Sequence, residues 1–497
     1  MFLRDKLKDD AGFAYVIDEL EIMSTPGRKR LMEQPWLSDP DALQQEWDNT
    51  AAVVAAFSNA DNKRQVTELR HQMMELQDLH GTLRNLQGHV VIDEIELFQI
   101  KQFAFHTMRA QKAALTMNIN DVLKLPDLSP LFSRLDPDHT GVPTFYIYDS
   151  YHPSLAPLRK LLREKQNTLA KLEALGEARL TEEQRNTWQQ LHDDISDLLL
   201  GQNKIQDEVL QHISEQLFEL TDLLSEGMAQ MAYVDLQQAK ATQAINWQLI
   251  KPTLAIYESG KESTTRYHQI VNPRLLHRNQ QQHIRYQPID VELHSGVCLI
   301  TGANMAGKTV MLKTVGCTQM MAQFGMFVPA RQASLVPVDD VLFCIGDEQN
   351  EMNGLSSFAS EIIKISDTLK RASFQHLLIL IDEPARTTNP MEGKAIVQAI
   401  GTLLDKRPSL TLITTHYSQL GLACRRLRVK GFVENLADID LTPETINRFM
   451  DYSLLPDDSD DVPQEALRIA SILGCNAEMI SLASAALNKE KDLPHQF

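Results

Sequence analysis

The sequence predicts an all-α region followed by an α/β domain. In residues 1 to about 250 of the 497, apolar residues recur at three- and four-residue spacing with polar residues between them, which is typical of amphipathic helices. After about residue 255, short aliphatic runs alternate with helical patterns, which favours a parallel sheet covered on both faces. One of these runs leads directly into a glycine-containing segment at 302–309.

Composition is that of an ordinary soluble protein of two to four domains, with 43% hydrophobic and 23% charged residues. No apolar stretch is long enough to span a bilayer, and the opening residues MFLRDKLKDDAGF lack the apolar core of a signal peptide. The five cysteines are scattered, without a C-x-x-C pair, which favours reduced thiols over structural zinc. We therefore expect a cytoplasmic protein that is not attached to a membrane.

The charge balance disfavours a protein whose main task is to grip nucleic acid. The 66 acidic residues outnumber the 48 basic residues, which gives a net charge of −18, whereas DNA-binding domains usually display a basic stripe. Net charge describes the whole surface, so a local basic groove is compatible with it. The net charge therefore disfavours tight nonspecific DNA binding without excluding it.

The longest helical patterns lie in the middle of the chain. A helical pattern at 63–86 is followed by three more, at 155–180, 181–200 and 202–243. Thr181, followed by two glutamates, is expected to cap a helix with an acidic first turn. Helices of this length are compatible with a helical arm or coiled-coil hairpin, and equally with an ordinary bundle.

The segment GANMAGKT (302–309) is a complete phosphate-binding loop of the form G-x-x-x-x-G-K-[ST]. Gly302 and Gly307 allow backbone N–H groups to converge on phosphate oxygens, Lys308 supplies a positive charge towards the β- and γ-phosphates, and the Thr309 hydroxyl suits Mg²⁺. A chance match is disfavoured, because the aliphatic run VCLI precedes the loop and a helical pattern follows it. The sequence therefore predicts binding of a nucleoside triphosphate. The other expected nucleotide contacts are Ala303, Asn304, Met305, Ala306 and Val310.

Two later strand ends carry groups suited to phosphoryl transfer. The run LLILID ends at Asp382, which is expected to hold Mg²⁺, and Glu383 follows it, where it can orient the attacking water. His416 ends the run LTLITTH, where its side chain can sense the γ-phosphate. The alternatives are an acidic helix cap for the carboxylates and a structural role for the histidine. The order of the three motifs favours the catalytic interpretation.

These segments resemble those of MutS-type ATPases. TGANMAGKTVMLKTVG is similar to the family's TGPNMGGKST loop, including the Asn-Met pair, and GLSSFASE, LLILIDEPARTT and TTHY resemble its G-x-S-T-F-x-x-E, DEIGRGTS and ATHY segments. The resemblance is specific over 297–420. It is weaker upstream, where residues 20–48 look like the opening of the family's central helical domain and residues 148–161 like the entry into its lever helices.

The resemblance implies an α/β P-loop NTPase domain, ABC-like and of the MutS C-terminal type, preceded by an all-α core and lever region. It also implies a homodimeric ATPase that uses ATP and Mg²⁺, in which Lys308, Glu383 and His416 are catalytic, Thr309 and Asp382 hold the metal, and Ser356 completes the site of the other subunit. The implied domains are a helical core at 1–130, lever helices at 131–254, the ATPase domain at 255–456 and a dimerising helix-turn-helix at 457–497.

Three departures limit what the resemblance implies. The chain starts at the central helical domain, so the family's N-terminal mismatch-reading domain is not expected. Only a short connection stands at the position of the family's DNA clamp, and residues 161–200 carry five basic against eight acidic residues, a poor surface for phosphates. Ala306 replaces a glycine of the family loop, and Pro384 and Ala385 replace its Ile-Gly.

Two functions therefore stay open at the level of sequence. One is a DNA-binding ATPase related to mismatch repair. The other is ATP-dependent remodelling of a protein partner, such as reactivation of a cobalamin-dependent aminomutase. A nucleotide-binding scaffold without turnover is disfavoured by the intact Asp382–Glu383 pair.

Overall fold

The computed structural model describes residues 1–8, 12–175, 180–255, 264–303, 306–346, 357–432, 450–457, 467, 470–471 and 474–491. Three expected site residues, Asn304, Met305 and Ser356, lie outside these ranges, as does much of the predicted C-terminal helix-turn-helix. Within the described ranges, no helix combines the length and the apolar character needed to cross a membrane.

The described helices, in chain order, are α1 (Leu3–Lys6), α2 (Phe13–Asp18), α3 (Thr25–Met32), α4 (Pro40–Ser58), α5 (Lys63–Met74), α6 (His80–Gln87), α7 (Glu94–Thr116), α8 (Asn120–Leu123), α9 (Ser129–Arg134), α10 (Leu155–Glu173), α11 (Glu182–Phe218), α12 (Thr221–Asn246), α13 (Pro273–Gln281), α14 (Lys308–Gln323), α15 (Ser357–Arg371), α16 (Pro390–Leu404) and α17 (Ala477–Lys491). The strands are β1 (Thr253–Leu254), β2 (Thr265–Ile270), β3 (Ile289–Leu293), β4 (Gly296–Thr301), β5 (Gln332–Leu335), β6 (Asp340–Ile345), β7 (Leu377–Asp382), β8 (Leu410–Thr414), β9 (Arg425–Phe432) and β10 (Met450–Pro456).

The chain forms two compact units, each assembled from segments that are separated in the sequence. Unit 1 comprises residues 1–20, 33–51 and 240–497 and contains the described strands. Unit 2 comprises residues 21–32 and 52–239 and is helical where it is described. The domain boundaries predicted from the sequence stay predictions.

The helices of unit 2 begin and end partly where the sequence predicts. The Thr181 hydroxyl accepts a hydrogen bond from the Gln184 N–H at 3.3 Å, and the Gln184 side chain accepts one from the Thr181 N–H at 2.9 Å, so the predicted N-cap of α11 is confirmed as a capping box. The predicted break near residue 201 is wrong, because α11 continues to Phe218.

The periodic segment 63–86 is also not one helix. It divides into α5 and α6, and between them the Asp78 carboxylate accepts a hydrogen bond from the His80 N–H at 2.9 Å. Such a local side-chain bond competes with continuation of a helix. The apolar spacing stays in phase across the break, which is why periodicity alone did not reveal it.

Unit 1 contains two sheets. A six-stranded sheet has the order β10-β9-β4-β8-β7-β6, in which β10 is antiparallel to β9 and the other pairs are parallel. A four-stranded sheet has the order β1-β5-β2-β3, with β2 antiparallel to both of its neighbours. In the larger sheet the carboxyl ends of β4, β7 and β8 lie side by side, since Thr414 pairs with Ile300 and with Asp382.

The aliphatic runs form strands that are buried on both faces, as the sequence predicts. On one face Ile379 of β7 belongs to an apolar cluster with Ile365 of α15 and Val397 of α16. On the other face α14 approaches so closely that a Cβ at Gly316 would lie 2.8 Å from the Leu380 side chain. Helices therefore cover both faces, and the strand ends are left to carry polar groups.

The two N-terminal segments of unit 1 contribute to its core. The Trp47 indole N–H donates to the Ala322 carbonyl at 2.9 Å, and the Gln34 amide donates to the Phe324 carbonyl at 2.6 Å. The ring of Phe13 stacks on Phe324 at 5.5 Å, and both rings are fully buried. The end of α14 is thereby packed against residues near the start of the chain.

Candidate nucleotide-binding site

The glycine-containing loop joins the end of β4 to the start of α14. Gly302 has φ +148° and Gly307 has φ +76°, both in the region that favours glycine. A Cβ at Gly302 would lie 3.1 Å from Val429, and one at Gly307 would lie 3.0 Å from the Tyr452 ring. Both the conformation and the space therefore require glycine at these positions.

The side chain of Lys308 turns back over the loop. Its ammonium group donates to the carbonyl oxygens of Gly302 at 2.8 Å and Ala303 at 3.1 Å, and it lies 3.3 Å from the Glu383 carboxylate. Only 5% of the side chain is exposed. A buried ammonium with these partners is a positive charge held at the first turn of α14, where the helix dipole also attracts anions.

Thr309 and Asp382 are in direct contact. The Thr309 hydroxyl donates to one carboxylate oxygen of Asp382 at 2.6 Å, and the Thr414 hydroxyl donates to the other oxygen at 2.6 Å. Asp382 ends β7 and Thr414 ends the neighbouring strand β8. The parallel sheet therefore brings together the two residues that the sequence predicts as Mg²⁺ ligands and fixes the orientation of the carboxylate.

Glu383 follows in a left-handed backbone conformation, with φ +43°. Its N–H donates to the Thr414 hydroxyl at 2.9 Å and to the Thr414 carbonyl at 3.2 Å. Its carboxylate lies 3.3 Å from the Lys308 ammonium and 3.4 Å from the Arg386 guanidinium. The side chain is 16% exposed and so lies at the edge of the site, within reach of solvent.

His416 lies just beyond the end of β8, with its ring partly exposed and 4.2 Å from the ring of Tyr417. Partial burial lowers the pKa of His416; Glu383 opposes this shift, while Lys308 and Arg386 reinforce it. His416 therefore lies close enough to the Lys308–Glu383 pair for its pKa to respond to the charges of both residues.

A cavity of about 360 Å³ opens beside the loop, and Asp382 is not among its lining residues. It is lined by Gly307 and Val310, by Arg278 of α13, and by two tyrosines, Tyr286 and Tyr452. Its volume and its mixed aromatic and polar lining are typical of small-ligand sites. Arg278 and both tyrosines lie outside the motifs that predict the site from sequence, because each is distant from the loop along the chain.

A larger cavity of about 960 Å³ is lined mainly by residues of the four-stranded sheet, and none of its lining residues belongs to the loop. Four of its charged residues form two cross-strand pairs: Arg266 lies 3.3 Å from Glu292, and His268 lies 2.7 Å from Asp290. Cross-strand ion pairs of this kind are typical of a solvated sheet face. The smaller cavity is therefore the better candidate for a ligand.

The predicted site residues of the described ranges thus lie around one edge of the six-stranded sheet. Ala303 and Ala306 are buried in the loop, at 6% and 2% exposure, and Val310 lines the smaller cavity. The segment GLSSFASE is described from residue 357, where α15 begins.

Comparison with known proteins assigns this arrangement to a family. The family model for MutS domain V matches residues 298–489, which include the loop and the three strand ends. The chain is 30% identical over 307 residues to endonuclease MutS2 of Caldanaerobacter subterraneus, covering 60% of this chain and 36% of the relative. It is 28% identical over 440 residues to endonuclease MutS2 of Geobacillus thermodenitrificans, covering 84% of this chain and 49% of the relative.

Over residues 298–489 the chain matches domain V of the MutS family. It spans at most about half the length of these curated relatives, and 27% of a third, endonuclease MutS2 of Thermomicrobium roseum, to which it is 36% identical over 217 residues. The match to MutS domain V confirms the resemblance that the motifs indicate. The family glycine replaced at Ala385 has a visible consequence, because Ala385 has φ +60°.

Proposed function

We propose that this protein binds and hydrolyses ATP, with a P-loop NTPase fold of the ABC-like type in unit 1. The observation that carries the proposal is the contact between two segments 73 residues apart, in which the Thr309 hydroxyl meets the Asp382 carboxylate at 2.6 Å. Lys308 and Glu383 lie beside this contact, 3.3 Å from each other. The four residues supply the charges and oxygen ligands that phosphoryl transfer needs.

The residues fit ATP and Mg²⁺ in chemistry. A hydroxyl and a carboxylate are oxygen ligands of the kind that Mg²⁺ prefers, with the remaining positions left to water and phosphate. Lys308 would neutralise the β- and γ-phosphates, and the loop from Gly302 to Gly307 would contribute backbone N–H groups. The bound Mg²⁺ would neutralise charge that develops on the phosphate oxygens.

The remaining roles are assigned by position. Glu383 would orient the attacking water, and His416 would contact the γ-phosphate region. Asn304, Met305 and Val310 would complete the binding loop. Ser356 would act in trans, on the ATP site of the second copy in a homodimer.

The cavity beside the loop is proposed to hold the adenine base. Tyr452 lies against Gly307, and Tyr286 and Arg278 form other parts of the same wall. Aromatic rings suit a base because they stack on its face. The triphosphate would then run from this cavity across the loop towards Asp382.

For the partner, we propose DNA, with ATP binding coupled to movement of the helical arms and a role related to mismatch repair or recombination. The match to MutS domain V supports this choice. The acidic balance and the short α10–α11 connection weaken it, but the comparisons carry no support for the aminomutase-reactivating alternative. The word endonuclease belongs to longer relatives, of which this chain matches at most about half, and no nuclease activity is proposed for this chain.

The ATPase proposal is tested by phosphate release from the purified protein with Mg²⁺ and ATP. Lys308→Ala is expected to abolish turnover, because it removes the buried ammonium that faces the phosphates. A wild-type protein that binds ATP without releasing phosphate would reduce the site to a nucleotide-binding scaffold.

The partner proposal needs a separate measurement. Binding to duplex, mismatched and branched DNA at physiological salt is measured with and without ATP, with Lys308→Ala as the control that lacks the nucleotide response. ATP-dependent binding to any of the three supports the DNA role. Absence of ATP-dependent binding to all of them would direct attention to a protein partner.

A further inference from the structure

The turn that follows β7 has an unusual backbone. Glu383 has φ +43° and Ala385 has φ +60°, and neither residue is glycine. A left-handed conformation is unfavourable for a non-glycine residue, because its Cβ crowds the following carbonyl oxygen. Pro384 lies between them, and its ring fixes its own φ near −65°. This tripeptide is therefore stiff and strained, and it persists only if neighbouring groups hold it.

Two side chains from distant segments hold Ala385 at both ends of its backbone. The Glu361 carboxylate of α15 accepts a hydrogen bond from the Ala385 N–H at 3.3 Å. The Tyr417 hydroxyl donates to the Ala385 carbonyl at 3.0 Å. Ala385 itself is fully buried. Burial raises the pKa of Glu361, an effect that the Ala385 N–H and Arg386 oppose.

Close packing leaves Tyr417 little room to move. A Cβ on Gly393, in the first turn of α16, would lie 2.2 Å from the Tyr417 hydroxyl and 3.0 Å from the Ala385 carbonyl oxygen. The Tyr417 N–H also donates to the Thr415 hydroxyl at 3.0 Å. The Tyr417 hydroxyl therefore packs against the first turn of α16, and the backbone of Tyr417 is anchored just beyond the end of β8.

We propose that Glu361 and Tyr417 are positioning residues that clamp Ala385 and thereby set the position of the Glu383 carboxylate for ATP hydrolysis. The inference rests on the proposed ATPase function. The clamp joins α15, the helix opened by the GLSSFASE segment, to the turn that carries Glu383, and it also joins the residue after His416 to that turn. Neither clamp residue touches the Lys308–Glu383 pair directly, so both act through the backbone of Ala385 and Pro384.

The proposal predicts a specific kinetic signature. Misplacement of a water-orienting group by a fraction of an ångström lowers the rate of the chemical step, while the binding of ATP depends on other residues. Glu361→Ala is therefore expected to lower kcat about tenfold or more, with the Kd for ATP changed less than threefold. Tyr417→Phe removes only the hydroxyl and should lower kcat by about threefold to tenfold, since the Thr388 N–H keeps a weaker bond to the same carbonyl, at 3.4 Å.

The conservative variant separates positioning from charge. Glu361→Gln keeps an oxygen that can accept the Ala385 N–H, so kcat should stay within about threefold of wild type. Asp367→Ala serves as the matched control, because Asp367 is an exposed carboxylate on the same helix, paired with Lys370 at 2.8 Å. It should leave kcat unchanged. Melting temperature and ATP affinity show whether each variant is folded.

Hydrogen exchange gives a readout that does not depend on turnover. Exchange of the amides in residues 383–388 should accelerate at least about tenfold in Glu361→Ala and should stay close to wild type in Glu361→Gln. If Glu361→Ala does not fold, kcat and amide exchange are measured on Tyr417→Phe instead. Unchanged kcat and unchanged exchange in both of these variants would overturn the proposal. A Glu361→Gln variant as impaired as Glu361→Ala would overturn it as well. If the wild-type protein does not hydrolyse ATP, the proposed function is refuted instead. The exchange rates alone would then show whether Glu361 and Tyr417 hold the backbone of Ala385.

Discussion

The hydroxyl of Thr309 donates to the carboxylate of Asp382 at 2.6 Å, and this contact links the first turn of α14 to the end of β7. The Thr414 hydroxyl donates to the other carboxylate oxygen of Asp382, also at 2.6 Å. Asp382 is therefore oriented by two neighbouring hydroxyls, one of which is the second proposed metal ligand. The chemistry of the site follows from the register of the parallel strands as much as from the loop itself.

Asp382→Asn is expected to weaken the use of Mg²⁺ more than the binding of nucleotide. The amide has no charge to attract the cation, so turnover at millimolar Mg²⁺ should fall at least about a hundredfold, while ATP affinity measured in EDTA should change little. The measurement is phosphate release across a Mg²⁺ titration. Asp367→Asn, on the exposed side of α15, is the control. Wild-type Mg²⁺ dependence in Asp382→Asn would exclude this carboxylate from the metal site.

Glu383→Gln is expected to leave ATP binding within about threefold of wild type and to slow hydrolysis about a hundredfold or more. The amide keeps the shape of the side chain but loses the charge that orients and polarises water. Equilibrium binding of ATP and single-turnover hydrolysis separate the two effects. Full hydrolysis by this variant would refute the water-orienting role.

Tyr452→Ala should weaken ATP binding by roughly fivefold to a hundredfold, because stacking of a base on an aromatic ring contributes about 1–3 kcal/mol. The ring also lies against Gly307, so its loss loosens one wall of the loop. Tyr452→Phe keeps the ring and should bind ATP like the wild type. Binding is measured by calorimetry, and an alanine variant with wild-type affinity would place the base elsewhere.

A buried ion pair in unit 2 is expected to contribute to the free energy of unfolding. Lys101 is fully buried, and its ammonium donates to Asp136 at 2.9 Å and to the Tyr148 hydroxyl at 3.0 Å. Asp136→Asn leaves that ammonium without its counter-charge and should cost about 3–5 kcal/mol. Denaturant unfolding followed by circular dichroism of the helices measures the loss. Asp138→Asn, two residues away on the exposed surface, should be close to neutral.

The Asp136 carboxyl also predicts that the folded protein loses stability at acidic pH. Burial by itself would raise the pKa of Asp136, but hydrogen bonds from Thr140, the Gly141 N–H and Lys101 outweigh it and lower the pKa to about 2. A folded-state pKa below the unfolded value of about 4 means that the stabilisation is present above pH 4 and is lost as the pH falls towards 2. Stability of wild type should therefore decline more steeply than that of Asp136→Asn in this window.

The candidate site at the edge of the six-stranded sheet could be predicted from the sequence, because the motifs that form it are local. A run of aliphatic residues forms a buried strand, and the first polar residue after it must lie at the sheet edge, as at Asp382. The loop carries its own steric demand at Gly302 and Gly307. These features are encoded within a few residues, so a single sequence reveals them. Their catalytic roles stay predictions.

Contacts between segments that are distant in the sequence could not be predicted in this way. Tyr452 approaches Gly307 only because β10 pairs with β9 and β9 with β4, a relation that no local pattern encodes. The continuation of α11 through Gly201 reflects packing against α10, which outweighs the low helix propensity of glycine. The contact of Glu361 with Ala385 likewise depends on the fold, although both residues lie in recognised motifs.

The interleaved order of the segments affects any attempt to divide this chain. Residues 1–20 and 33–51 belong to unit 1, although most of unit 2 separates them in sequence from the part of the core that they cover. A fragment that begins at residue 255 would expose Phe324 and the end of α14 to water, because Phe13, Gln34 and Trp47 would be missing. Such a fragment should aggregate, and it should recover solubility when a peptide containing residues 1–51 is supplied with it.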